Sequence, residues 1–384
     1  MTKKKSDDGT TTLAAIIAAE NENLGAGTMF YGTGLKKDPD RVPFGVFAVD
    51  YATGGGVPVY TSCCLWGPEA GGKSSLAANI LAMGQSICWK CFSLLPFCKC
   101  SRSPLKLDGV WLDIEGTLDR TWVTNIGADP ERYVCVIADY GEQYVNIGKN
   151  VLKADDCGIL VVDSLAALVP ESEYDAPAEQ DFYALQARLI GKMIRKFKQQ
   201  LMRERKREHP CIVIFINQMR TKIGVTFGSP ETMPGGWGLR HENSLLLRCV
   251  KKVLDASADR KYKGDKSTDR DKAVRHAFSI KKEKVLTLAG SGEFVRIREE
   301  MPDLGLKPGM IGDHRTVLNY AKEFGVIEKV SGAKPWKYGK LNARTLDQIV
   351  ELWVKKPEYY YKAQMDIIRA AKNRLREESG EQDV

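Results

Sequence analysis

"GPEAGGKSS", residues 67–75, decides the fold. It satisfies G-x-x-x-x-G-K-[ST]. It follows the strand-like run "TSCCLW" (61–66) and opens a helical pattern. Strand, loop and helix in that order form the context in which this pattern binds phosphate, rather than being a glycine-rich turn with a chance lysine. Gly67, Gly71 and Gly72 let backbone amides curl around phosphate oxygens, with Pro68, Glu69 and Ala70 completing the loop and Ser75 following it. Lys73 supplies charge to the β- and γ-phosphates, and Ser74 is placed for Mg²⁺. The helix N-terminus adds its dipole. ATP and Mg²⁺ are therefore the expected cofactors.

Working outward, "GILVVD" (158–163) is an apolar run that ends in an aspartate. Beside a phosphate loop, Asp163 reads as the Walker B residue that orients Mg²⁺; the alternative is an ordinary strand-end turn. "GVWLDIEGTLDRTW" (109–122) is a strand running into carboxylates. Glu115 lies just past its end, where a water-positioning group would face the γ-phosphate. From spacing alone, that reading and a surface charge are equal.

Further strand candidates are "YVCVIA" (133–138), "CIVIFIN" (211–217) and "HAFSIK" (276–281). All are short and continuous, as buried parallel strands are. Helical periodicity is clearest at Phe182, Leu185, Leu189, Ile190, Met193, Ile194, Phe197 and Leu201. Strands alternating with helices predict an α/β core with a largely parallel sheet over residues 45–300. Residues 1–44 read as a tail, a helix (13–23) and a glycine-rich connection. Residues 301–384 read as a small α+β C-terminal domain, mostly helical, with an aromatic stretch "KPWKYGK" and a disordered end "EESGEQDV".

The chain has 384 residues, 43% of them hydrophobic, enough for one large and one small domain. No apolar run reaches the roughly 18–20 residues that span a bilayer. The N-terminal "LAAIIAA" is short and followed by acidic and amide residues, unlike a signal peptide. A cytoplasmic protein without disulfides is expected. The net charge of +8 is compatible with nucleic acid, though weak as a sign of it.

The order of these pieces resembles the bacterial-type RecA recombinases over roughly residues 13–375. "GPEAGGKSSL", "LDIEGTLDRTW" and "VVDSLAALVP" are similar to the family's Walker A, catalytic-glutamate and Walker B segments. "FINQMRTKIGVTFGSPETMPGGWGLR" (215–240) resembles its second DNA-binding loop, a long and irregular match. The resemblance implies a RecA-like P-loop NTPase fold and a protein that polymerises on single-stranded DNA and exchanges strands with a homologous duplex. It makes Glu115 the water-activating residue and Gln218 the sensor of the γ-phosphate. Asp119 and Trp122 become adenine contacts, although the family commonly has tyrosine at the second position. Lys282 and Lys284 match the lysines that reach ATP across a protomer interface, with Lys281 allowing a one-residue shift. The helix over 13–23 matches the element that docks on the neighbouring protomer of a filament.

Residues 219–240 also suit DNA on physical grounds. They read as a long irregular stretch with Arg220, Lys222 and Arg240 for phosphates, glycines such as Gly235 and Gly236 for close backbone approach, and apolar Ile223 and Phe227. Arg188, Gly191 and Arg195 match DNA-backbone positions; the plain alternative is a solvated helix face. "RERKREH" (203–209) reads as a solvated last helical turn that complements the helix dipole, with a contact to DNA as the alternative. A hexameric helicase, which lacks the 215–240 loop, and a non-hydrolysing mediator are the rival readings.

"CWKCFSLLPFCKC" (88–100) holds four of the ten cysteines. The family has only a short connection there. Cys88, Cys91, Cys98 and Cys100 are expected to close a structural Zn²⁺ site, with a redox pair or ordinary buried cysteines as alternatives. Trp89, Phe92, Phe97, Lys90 and Lys99 are read as a surface offered to DNA or to a neighbouring protomer.

Overall fold

The computed structural model describes residues 12–36, 38–100, 103–174, 176–177, 183–221, 231–252, 273–300, 306–331 and 335–379. The first half runs α1 (Leu13–Leu24), β1 (Arg41–Val42), α2 (Phe47–Ala52), β2 (Val57–Pro58), β3 (Ser62–Gly67), α3 (Lys73–Ser86), β4 (Asp108–Asp113), α4 (Arg120–Ile126), β5 (Tyr133–Val136), α5 (Gly141–Val151) and β6 (Cys157–Asp163). Next come α6 (Glu171–Tyr174), α7 (Tyr183–Lys206), β7 (Ile212–Gln218), β8 (Arg220–Thr221), β9 (Glu231–Thr232), α8 (Gly236–Glu242), β10 (Leu245–Lys251), β11 (Ala273–Glu283) and β12 (Ser291–Ile297). The chain closes with α9 (His314–Glu323), β13 (Glu328–Lys329), β14 (Trp336–Tyr338), β15 (Leu341–Ala343), α10 (Leu346–Lys355) and α11 (Pro357–Glu378).

Eight strands form the central sheet, in the order β12-β11-β10-β3-β7-β6-β4-β5. From β10 to β5 every pairing is parallel. Alternate residues feed opposite faces. Cys63, Leu65, Val161 and Ile214 pack beneath α3, whereas Cys64, Trp66, Val162 and Phe215 pack beneath α5 and α7. Both faces are covered, which is why these strands read as unbroken apolar runs.

The run "HAFSIK" departs from expectation. It lies within β11, which is antiparallel to both β10 and β12. Its burial alternates along the strand, because this end of the sheet carries less cover. β10 and β12 were not expected: Arg248 interrupts the first, and the second is largely polar.

A third apolar cluster joins α9, α10 and α11 to Phe47 of α2, with Trp353, Tyr360 and Ile367 at its centre. Within the mostly helical C-terminal domain, residues 325–330 are not helical: α9 stops at Glu323, and β13 pairs with β14 inside the aromatic stretch. Thr345 caps α10 through its side chain, two residues after β15 ends at Ala343. Glu377 and Glu378, expected in a disordered end, belong to α11. No helix among the described residues is long and apolar enough to cross a membrane.

Candidate functional site

Parallel strands deliver their C-terminal ends to one edge of a sheet, and ligands bind there. β3, β7, β6 and β4 are consecutive neighbours. Gly67 at the end of β3 is in register with Gln218 at the end of β7, and Asp113 with Asp163. The phosphate loop, Gln218, Asp163 and Glu115 therefore emerge side by side.

Pro68 to Gly72 form the loop between β3 and α3. The loop lies so close to β10 that a Cβ at Gly67 would sit 2.0 Å from Cys249 O. Gly72 begins α3 in the left-handed region at φ 91°, with the His276 ring beneath it. Glu69 and Ala70 are exposed and Ser75 is buried. Lys73 Nζ donates to Pro68 O at 2.7 Å and to Gly67 O at 3.3 Å. Burial lowers the Lys73 pKa, while Cys249, Asp163 and Glu115 pull it back up.

Ser74 Oγ donates to Asp163 Oδ2 at 3.0 Å. Burial and then the Glu115 carboxylate push Asp163 up to about 7, against the pull of Ser74. A buried carboxylate raised in this way, beside a hydroxyl, is a hard-oxygen pair that a divalent cation would neutralise, so the residues fit Mg²⁺.

Glu115 is exposed on a turn shaped by Asp113, whose carboxylate accepts from Thr117 N and Leu118 N. Two donors converge on Glu115 Oε1: Ser164 Oγ, and Gln218 Nε2 at 2.9 Å. A carboxylate aimed in this way can take a proton from a water molecule. Ser164 was missed in the sequence; its only signal is its place directly after Asp163. Asp119 caps α4, its Oδ1 accepting from Trp122 N at 3.0 Å. Trp122 is half-buried and packs beside Gly309.

Past Gln218, the expected irregular stretch is shorter than its sequence implied. β8 and β9 form an antiparallel ribbon, and α8 begins at Gly236. Arg248 on β10 clamps Glu231 of this ribbon with two hydrogen bonds, one of 2.7 Å. Lys222, Ile223 and Phe227 lie outside the described residues. Arg220 is exposed on β8. Gly235 turns at φ 87° against α7, where a Cβ would meet Ile190 at 2.6 Å. Arg188, Gly191 and Arg195 share one stripe of α7, and both arginines are exposed.

Lys284 Nζ and Lys282 Nζ donate to His241 O at 2.8 and 3.0 Å, at the C-terminal end of α8. In the run 203–209, Glu204 is fully buried, bonded to Gln200 and Arg207, so this turn is not simply solvated.

The four cysteines come together. Their sulfurs all lie within 4.8 Å of one another, with Cys91 and Cys98 at 3.6 Å. The set is sulfur-only and compact enough for one tetrahedral ion. Burial raises the Cys88 thiol, but hydrogen bonds from the Lys90, Cys91 and Leu105 amides and from Cys98 together outweigh it, and the net shift is downward. Trp89 is not surface: it is 1% exposed, in the core. Phe92 and Phe97 also pack inward.

Strand-end geometry of this kind, a phosphate loop flanked by an aspartate ending one strand and a carboxylate past the next, is that of the P-loop nucleoside triphosphatases. The RecA N-terminal domain family matches residues 98–286. Protein RecA of Bartonella quintana is 31% identical over 317 residues, 82% of this chain and 84% of its own length. Protein RecA of Bartonella tribocorum is 32% identical over the same shares, and that of Symbiobacterium thermophilum 33% over 55% of this chain and 54% of its own. The chain belongs to the RecA family of recombinases.

Proposed function

We propose that this recombinase is a DNA-dependent ATPase that polymerises on single-stranded DNA and exchanges strands with homologous double-stranded DNA. The observation that carries the reading is the Glu115–Gln218 hydrogen bond. Gln218 ends β7, and the β8–β9 ribbon begins two residues later. A group at the reacting edge is thus joined by a rigid strand end to the segment that resembles a DNA loop. Nucleotide state and DNA engagement can then bias one another.

In this reading Lys73 and the loop amides hold the phosphates. Ser74 and Asp163 hold Mg²⁺, which when bound offsets phosphate charge. Glu115 draws the proton from water, and Gln218 reports the γ-phosphate. Asp119 and Trp122 flank adenine. Lys282 and Lys284 reach the ATP of a neighbouring protomer. Arg188, Gly191, Arg195, Arg220, Lys222, Ile223, Phe227, Gly235 and Gly236 face DNA. α1 has no buried residue, and Leu13 is 65% exposed, which favours its being covered by a neighbour in a filament. The chain divides at about residues 44 and 300. Cys88, Cys91, Cys98 and Cys100 hold one structural Zn²⁺, because four protein ligands leave no open position.

ATP hydrolysis with and without single-stranded DNA, together with a strand-exchange assay, tests the reading. Rings that unwind processively without exchange would make the chain a helicase. DNA binding without ATP turnover would make it a mediator.

A further inference from the structure

The cysteine segment is anchored at its base. Trp89 sinks into the core, and its Nε1 donates to Gly84 O at 2.7 Å. At its tip, a 3-10 turn (Leu95–Phe97) leads directly into Cys98. From this turn Phe97 meets Tyr359 of α11 edge-on, with ring centroids 5.4 Å apart and planes at 81°. Lys362, one turn further along α11, holds its ammonium 5.9 Å from the centroid of the same Phe97 ring. Between base and tip, a cleft of about 850 Å³ separates segment and helix, with Cys91 and Lys99 on one wall and Met365 and Arg369 on the other.

We propose that the four-thiolate centre is a metal-locked clasp that holds α11 against the ATPase core; this rests on the Zn²⁺ reading above. The segment has little regular structure of its own: one 3-10 turn, one isolated bridge (Ile87 with Leu94) and a few backbone bonds near the base, such as Cys88 N to Ser93 O and Phe92 N to Cys88 O, with Leu94 buried in the core. Beyond Leu94, the tip is held by the backbone bonds of the 3-10 turn and by the partial packing of Phe97, a hold weak enough to open locally. A tetrahedral ion bonded to Cys91 and Cys98 ties together the two ends of the stretch 91–98 that contains this turn and Phe97. Across the cleft, the contact at the tip is then as rigid as the metal site. The opposite flank is held independently by Phe47 and Tyr51 packed on Tyr320 of α9. Removing the clasp should therefore loosen α11 near Tyr359 while the fold survives.

The test compares full-length protein purified with its zinc, the same protein after treatment with a strong zinc chelator, and Phe97→Ala. Metal content reads the site, and hydrogen exchange of α11 reads the clasp. About one zinc per chain is expected in wild type and in Phe97→Ala. Exchange over residues 357–372 should rise about two- to tenfold both on chelation and in Phe97→Ala, with β3 to β7 unchanged. Zinc present but α11 exchange unmoved in either arm overturns the clasp and leaves the metal site standing. Protein that holds no zinc overturns the metal reading itself, and the clasp with it.

Discussion

Gln218 Nε2 reaches Glu115 Oε1 at 2.9 Å, joining the end of β7 to the turn past β4. β6 lies between those strands, and Ser164, just past its end, bonds the same Glu115 oxygen. Three neighbouring strand ends thus fix one carboxylate. Such convergence aims Glu115 from the strand ends beside the phosphate loop. Glu115→Gln keeps the shape and removes the base. Hydrolysis of ATP in the presence of single-stranded DNA should fall by about 10²–10⁴-fold, with nucleotide affinity preserved. Equal turnover in the variant and the wild type would remove Glu115 from the chemistry.

Gln218→Ala breaks the same contact from the other side. It leaves the base, the phosphate loop and Asp163 intact, so basal ATP binding should persist. What should be lost is the response: adding single-stranded DNA should no longer raise hydrolysis. Titrating DNA against ATPase rate in both proteins reads this directly, and a normal stimulation curve for Gln218→Ala would show that the strand end does not link the two sites.

Gly72 offers a sharper test of the phosphate loop. Its φ of 91° is left-handed, and a Cβ there would lie 3.0 Å from His276 Nδ1. Gly72→Ala should strain the loop by about 1–2 kcal/mol, a loss of about five- to thirtyfold in ATP affinity, because the loop must hold this shape to present its amides. Isothermal titration with ATP and Mg²⁺ checks it. Unchanged affinity would mean that the loop relaxes without loss.

The site was more legible than its surroundings. The phosphate loop, Asp163 and Glu115 sit at ends of apolar runs, and such runs are local signals. β10 escaped notice because Arg248 interrupts it, yet that arginine is satisfied by Glu231 on a distant ribbon. α8 begins in a glycine-rich stretch that reads as loop; it is held by packing on α7, with Leu239 buried among α7 side chains. Trp89 looked like surface beside two lysines, and only the space near Gly84 and Gly158 explains its burial. In each case the missing information lay at least partly in a partner on another element, such as Glu231 for Arg248 and Gly158 for Trp89.

Asp50 should make the stability of the molecule depend on pH. It is buried, and its carboxylate accepts from Phe44 N at 2.6 Å and Gly45 N at 2.8 Å. Burial nonetheless dominates and pushes it up to about 8, with Asp313 adding to the rise. The folded chain therefore keeps this proton up to about pH 8, whereas an unfolded aspartate releases it near 4. Between those values the folded state binds more protons, so stability should fall as pH rises. Asp50→Asn cannot ionise. Its melting temperature should change less between pH 5 and 8 than that of the wild type, whatever its absolute value. Parallel melting curves with equal pH slopes would show that Asp50 ionises normally.

Arg188 and Arg195 stand seven residues apart on α7, on one exposed stripe with Gly191 between them. No hydrogen bond or ion pair among the described residues engages either guanidinium side chain in the forms seen for Arg207 or Arg248. Gly191 keeps the stripe low: among the described residues a Cβ there would meet Arg195 Nη1, at 3.2 Å. Two cations over a glycine make a shallow shelf on which a phosphate backbone can lie. If each arginine meets one phosphate, each releases counterions when DNA binds. Binding of single-stranded DNA, followed by fluorescence anisotropy across a salt series, should lose about 0.7 from its log–log slope for each arginine replaced by alanine. The loss should be similar on any sequence, since phosphates carry no base identity. The melting temperature should stay within about 1 °C, because exposed substitutions of this kind change stability little. A preserved salt slope in the double variant Arg188→Ala, Arg195→Ala would return this stripe to ordinary solvated surface.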